Sequence, residues 1–169
     1  MSMTKIPSAA KAFLLKIQTL YDIEKQLEKA LPKMAKLATN PDLVEGFKMH
    51  LEETKGHSER LEKIFELLDA SPRKHASEAI RGLIADSSLI IETDTSDALR
   101  DAMLAGAARA VEHYEMACYE GAIEEAKTLA IGDAVILLSE ILNDEEKTDK
   151  ILAVAMKANL KLAAAEEEK

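Results

Sequence analysis

Apolar residues recur three and four positions apart along four long pieces of this chain, and almost nothing interrupts the rhythm. That spacing is one face of an α-helix and excludes the two-residue alternation of a strand. The first piece carries Phe13, Ile17, Leu20, Leu27, Leu31 and Met34; the second carries Leu43, Phe47, Leu61, Ile64 and Leu68. The third carries Leu104, Ala108, Val111, Cys118 and Ala122, and the fourth Val135, Leu138, Leu142 and Leu152. Only six Gly and four Pro stand among 169 residues, too few for the many turns of a sandwich or an α/β fold. The pattern predicts an all-α protein of long helices.

The few breakers place the connections. Asn40-Pro41 forms an N-cap and N1 pair, Ser71-Pro72-Arg73-Lys74 a loop, and Asp94-Thr95-Ser96 a second loop. Long helices are expected over about 8–38, 41–69, 97–129 and from Gly132-Asp133 to about 162, with a shorter one over about 77–91. Pro32 should kink the first helix or end it early. Short links make antiparallel hairpins of the first and second helices and of the third and fourth long ones. The middle link of about 27 residues carries the extra helix. Two hairpins joined by a long crossover is the connectivity of a ferritin-like four-helix bundle. The length fits a single domain over 1–169, a bundle over about 8–162 and a polar tail at 163–169.

Charge narrows the partners. The chain has 22 Lys and Arg against 31 Asp and Glu, a net −9, so nucleic acid and anionic membrane are not expected partners. No run of about 18 uncharged apolar residues appears, and a single cysteine excludes an intrachain disulfide. A soluble, cytoplasmic protein is the expectation.

The stripes turn polar near the middle of each long helix. Glu24 follows Leu20; His50, Glu53 and His57 separate Phe47 from Leu61; Glu115 follows Val111; Glu145 and Asp149 separate Leu142 from Leu152. In an up-down bundle the four midpoints share one layer, so these groups converge inside. Unpartnered buried carboxylates cost several kcal/mol each. Lys25, Lys55 and Lys147 point about 100° or more away from the acids beside them. Two divalent cations would offset four of the five charges on Glu24, Glu53, Glu115, Glu145 and Asp149. Oxygen donors with an imidazole suit iron or manganese, and less obviously zinc.

An internal repeat accompanies this set: Glu24 aligns with Glu115, Glu53 with Glu145 and His57 with Asp149. The general di-metal carboxylate pattern is Glu on two helices and Glu-x-x-His on the other two. Here the spacing is four, and Asp149 stands where His would be. Glu146 is a rival ligand three residues before Asp149, and Glu52 and Glu112 are weaker rivals. His50 lies one turn from the set, behind the ligands or at the stripe edge. His113 faces away. Tyr21 and Tyr114 sit near the layer, with packing as their default role, and Cys118 is a small core residue.

The segments Tyr21-Asp22-Ile23-Glu24-Lys25-Gln26-Leu27, Ala30-Leu31-Pro32-Lys33-Met34, His50-Leu51-Glu52-Glu53-Thr54-Lys55-Gly56-His57, Val111-Glu112-His113-Tyr114-Glu115 and Asp144-Glu145-Glu146-Lys147-Thr148-Asp149 occur in this order. They resemble the YciE/YciF family of ferritin-like proteins over roughly residues 8–156. The resemblance implies a ferritin-like bundle, a homodimer in the bacterial cytoplasm, a link to stress responses, and a di-metal centre related to that of rubrerythrin. The expected function is a di-iron or di-manganese protein that reacts with peroxide or oxygen. The alternatives are a non-catalytic bundle for partner binding or metal storage, and a mineralising cage.

Overall fold

The computed structural model describes residues 6, 8–90 and 93–167. Five helices follow in chain order: α1 (Ala9–Leu37), α2 (Pro41–Leu67), α3 (Glu78–Leu89), α4 (Asp97–Thr128) and α5 (Gly132–Glu167). The long helices pair as α1 with α2 and α4 with α5; α2 then packs on α5 and α1 on α4, closing a four-helix bundle. The crossover helix α3 lies against α4 and α1. This is the expected all-α, ferritin-like architecture.

Each of the first four helices starts where a polar side chain satisfies an otherwise unpaired N–H. Ser8 Oγ accepts from Lys11 N at 3.2 Å, and Asn40 Oδ1 from Asp42 N at 3.0 Å with Pro41 in the first turn. Ser77 Oγ accepts from Ile80 N at 3.4 Å, and Ser96 Oγ from Leu99 N at 3.3 Å. The C-terminal ends of α2 and α4 close through backbone bonds and without glycine. Asp69 (φ 50°) and Ala130 (φ 57°) take the left-handed conformation. Ala70 N then bonds Phe65 O, and Ile131 N bonds Ala126 O, each at 3.0 Å. These are Schellman closures, in which glycine is the usual residue.

Pro32 does not end the first helix, which runs to Leu37 as the apolar spacing predicts. One lost backbone bond is outweighed by burial of Leu27, Ala30 and Leu31 around it. The supposed polar tail from 163 continues α5 to Glu167, with Ala163 buried. Its run of Ala and Glu favours helix, and Asn159 is buried and bonded at 3.2 Å to Asn40. Met1–Lys5, Pro7, Ile91, Glu92 and the last two residues lie outside the described residues.

The core is a continuous apolar cluster, with Phe13, Ile17, Leu20, Phe47, Leu61, Leu104 and Leu138 among its members. Buried polar clamps fix the connections. Asp101 Oδ2 accepts from Asn40 N at 2.6 Å and from Thr39 Oγ1 at 2.8 Å, tying the α1–α2 link to α4. Asp22 Oδ2 accepts from Ser77 N at 2.9 Å, holding the start of α3 on α1. These clamps set the register of the helices around the midpoint layer.

Candidate metal centre

The midpoint layer brings six ionisable side chains together, and none is more than 4% exposed: Glu24, His50, His57, Glu112, Glu115 and Glu145. They form two groups, within each of which the donor atoms lie within 4.8 Å of one another. One is His50, Glu112, Glu115 and Glu145; the other is Glu24, His57 and Glu145. Glu145 belongs to both, the position of a bridging carboxylate. His57 Nδ1 is 3.0 Å from Glu145 Oε1 and 3.5 Å from Glu24 Oε2. His50 Nε2 is 3.2 Å from Glu112 Oε1 and 3.8 Å from Glu145 Oε2.

The backbone periodicity explains the convergence. On α4 the buried line Ala108, Glu112, Glu115, Tyr119, Ala122 alternates steps of four and three; on α2 His50, Thr54, His57 and Leu61 do the same. A shift of 91 positions carries Glu24 to Glu115, Thr54 to Glu145 and His57 to Thr148. The chain thus holds one half-pattern with Thr in place of Glu and one with Thr in place of His. His50 fills the second gap from α2: its Nδ1 lies 3.4 Å from Thr148 Oγ1, and its Nε2 faces the carboxylates.

The outer nitrogen of each imidazole also faces a carboxylate. His50 Nδ1 is 3.5 Å from Glu53 Oε2, and His57 Nε2 is 3.6 Å from Asp144 Oδ2. Such partners orient a ligating imidazole and hold its tautomer. Tyr119, fully buried, donates its hydroxyl to Glu24 Oε1 and leaves Oε2 for the centre. Burial, with the charges of Glu24, Glu115 and Glu145, pushes this phenol well above its ordinary pKa, so it stays a donor.

Electrostatics make the cluster uncomfortable by itself. Burial pushes the Glu115 carboxyl well above its ordinary range, and Glu145, Glu24 and Glu112 push it further. Burial also dominates Glu145, raised to about 8 against the opposing pull of His57 and His50. For His57 burial pulls the pKa down, but Glu145 and Glu24 prevail and raise it to about 10. His50 is likewise drawn down by burial and driven well above its usual value by Glu112, Glu53 and Glu145. Among the described residues nine buried side-chain polar atoms lack a hydrogen-bond partner, and eight belong to Glu24, His57, Glu112, Glu115 and Glu145. Native proteins leave few such atoms. Four carboxylates and two imidazoles gathered in this way can hold metal.

The six residues singled out in the sequence divide as follows. Glu24, His57, Glu115 and Glu145 converge. Glu53 stays outside both groups, its side chain 41% exposed behind His50, because Thr54 takes the inward position on α2. Asp149 is also outside: Arg109 Nε holds it at 2.7 Å, with His113 Nε2 at 3.3 Å. Arg109 is the cation on this stripe that the sequence reading overlooked. His50 and Glu112 join instead, and their spacing to His57 and Glu115 was the available signal. Glu146 and Glu52 are exposed. Tyr21 and Tyr114 bond Glu62 and Ser77 at 2.7 and 3.2 Å, whereas Tyr119 is the tyrosine at the centre. Cys118 is a half-buried free thiol.

Known proteins carry the same fold and sequence pattern. The family described as a domain of unknown function, DUF892, matches residues 8–165. This chain belongs to the DUF892 family. Protein YciF of Escherichia coli K12 is 37% identical over 138 residues, spanning 81% of this chain and 83% of that protein. The crystal structure of the E. coli stress protein YciF superposes with a TM-score of 0.88 at 34% identity, covering 92% of this chain and 99% of that one. YcfI of Rhodopseudomonas palustris gives 0.87 at 35% identity, covering 90% and 98%. A protein of Xanthomonas campestris at 22% identity and a TM-score of 0.74 shares the fold. The chain is thus a YciF-like, ferritin-like member of DUF892 whose buried His and Glu groups can hold metal. Among the described residues no helix is long and apolar enough to cross a membrane.

Proposed function

We propose that this protein is a stress-associated di-metal carboxylate protein, loaded with iron or manganese, that reacts with peroxide or dioxygen. The observation that carries this reading is the set of eight orphaned ligand-type atoms in one buried layer. Protons alone satisfy such a cluster poorly, whereas two cations would satisfy it at once. His50, Glu112 and Glu115 would hold one ion, Glu24 and His57 the other, and Glu145 both. Bound there, the pair would supply Lewis acidity and two electrons for O–O cleavage.

The chain's own groups set up that chemistry. Tyr119 fixes Glu24 and keeps its proton. Glu53 and Asp144 stand behind the two imidazoles. Small polar reactants have a way in between α2 and α5, where a recess of about 240 Å³ reaches His50 and Glu112 past Glu53 and Lys147. A homodimer in the cytoplasm belongs to the same proposal, and gel-filtration mass tests the assembly.

The deciding test is metal analysis after reloading stripped protein with Fe(II) or Mn(II), followed by peroxide consumption. Two ions per chain and turnover above that of a Glu115→Gln, Glu145→Gln variant support the proposal. Fewer than about 0.2 ions per chain would sink it, since buried ligands of this number bind metal tightly.

A further inference from the structure

The recess between α2 and α5 is wider and more apolar than dioxygen or hydrogen peroxide requires. It offers about 240 Å³, against roughly 10–15 Å³ for one water. Leu31, Phe47 and Leu152 wall it, and Met49 and Ile151, each more than half exposed, carry the apolar surface out to its mouth. Gly46 keeps the opening wide. It shares one face of α2 with Met49, His50 and Glu53, and a Cβ added there would meet nothing within 4 Å.

Four charged side chains line the recess, and their charges cancel. Glu53 and Lys147 stand exposed at the rim. The buried end is closed by Glu112 and by His50, which is held charged against burial by Glu112, Glu53 and Glu145. Glu112 Oε2, buried and without a donor, is a free acceptor at that end. A carboxylate sent inward would also meet Glu115 and Glu145, which cluster with Glu112. The lining therefore suits a neutral molecule with an apolar body and one O–H. Resting on the di-metal reading above, we propose that the recess selects organic hydroperoxides, with the hydroperoxy group at His50 and Glu112 and the body against Leu31, Phe47 and Leu152. The O–O bond breaks; one oxygen stays on the body as an alcohol and the other leaves as water. Two electrons come from two Fe(II), which become Fe(III), and two protons come from solvent.

Titration calorimetry of the metal-free full chain with cumyl alcohol, the unreactive product of cumene hydroperoxide, reads the recess without any metal. The expected result is saturable one-to-one binding, with the carboxylate of the same body at least about tenfold weaker. Gly46→Leu grows into the open mouth and should weaken the alcohol at least about tenfold. Ile151→Trp, from its exposed position, provides the same plug if Gly46→Leu does not fold. A single turnover of the Fe(II)-loaded chain reads the chemistry. Cumene hydroperoxide should give one cumyl alcohol per two Fe(II) oxidised, and the plug should slow it at least about tenfold more than it slows hydrogen peroxide. No saturable binding, unchanged affinity in the plugged variants, equal slowing of the two peroxides, or acetophenone from one-electron cleavage in place of the alcohol would overturn the proposal. Cumyl alcohol bound by a chain that takes up no metal would overturn the di-metal reading and leave the recess a binding site; metal uptake without alcohol binding would overturn the present inference alone.

Discussion

Replacing Glu115 by Gln should make the metal-free protein more stable and the metal-loaded protein less so. Glu115 is fully buried, both its carboxylate oxygens lack a donor, and the charges that face it are those of Glu145, Glu24 and Glu112. Folding therefore either strips water from a carboxylate or forces it to take a proton. Gln keeps the shape, removes the charge and offers an amide N–H to the three neighbouring acids. Exchanging an uncompensated buried charge for a neutral group typically gains 1–4 kcal/mol, and about 2 kcal/mol is expected here. For a domain of this size that corresponds to roughly 4–8 °C in Tm. Thermal unfolding followed by circular dichroism at pH 7 in excess chelator measures it. Adding Mn(II) should then reverse the order, because a ligand that binds only the folded state stabilises by about 2.7 kcal/mol at a hundredfold excess over Kd. A Glu115→Gln variant with native helical signal and a lower metal-free Tm than the parent would refute the reasoning.

Other consequences follow from the same geometry. Glu145 and His57 hold protons in the fold up to about pH 8 and 10, whereas the unfolded chain releases them near 4.5 and 6.5. The metal-free fold thus binds more protons than the unfolded chain, and its stability should decline as pH rises from about 6 to 10. Mn(II) affinity should rise over the same range as the protons leave, and a metal-free Tm that is flat or climbs between pH 6 and 9 would contradict this. His50→Ala and Glu112→Gln should each lower metal affinity at least about tenfold, whereas Glu53→Gln and Asp149→Asn should leave two ions per chain; the reverse ranking in metal analysis would move the ligand set. Ala130→Gly should raise the metal-free Tm by about 2–4 °C by relieving roughly 1 kcal/mol of left-handed strain, and a lower Tm would deny that strain.

The helices were legible because each apolar stripe is long and the starts at Ser8, Asn40, Ser77 and Ser96 carry capping side chains. Their ends were harder to see. Glycine normally marks a left-handed closure, and here Asp69 and Ala130 take its place. The last turns of α5 look like a solvated tail, but Asn159 and Ala163 pack beneath them. At the centre, Glu24, His57, Glu115 and Glu145 stood out as acids or imidazole where an apolar residue was due. His50 also interrupts its stripe but reads as lying behind the ligands or at the stripe edge, and Glu112 reads as only a weaker rival. The apolar spacing runs from Ala108 through Val111 to Cys118, whereas the inward line runs from Ala108 through Glu112 and Glu115 to Tyr119. Glu53 and Asp149 satisfied the four-residue spacing, yet Thr54 and Arg109, contributed by the local twist and a neighbouring helix, decide where those two carboxylates go. Sequence spacing names a face of a helix; only packing tells which side chain on it finds a competing partner.

The central claim is that Glu145 joins two metal positions inside this bundle. Anomalous diffraction from crystals grown with Mn(II) or Fe(II) tests it most directly. Two peaks are predicted per chain, one among His50, Glu112, Glu115 and Glu145, the other among Glu24, His57 and Glu145. Fully loaded crystals with no peak in this layer, or with peaks held by Glu53 and Asp149, would contradict the account.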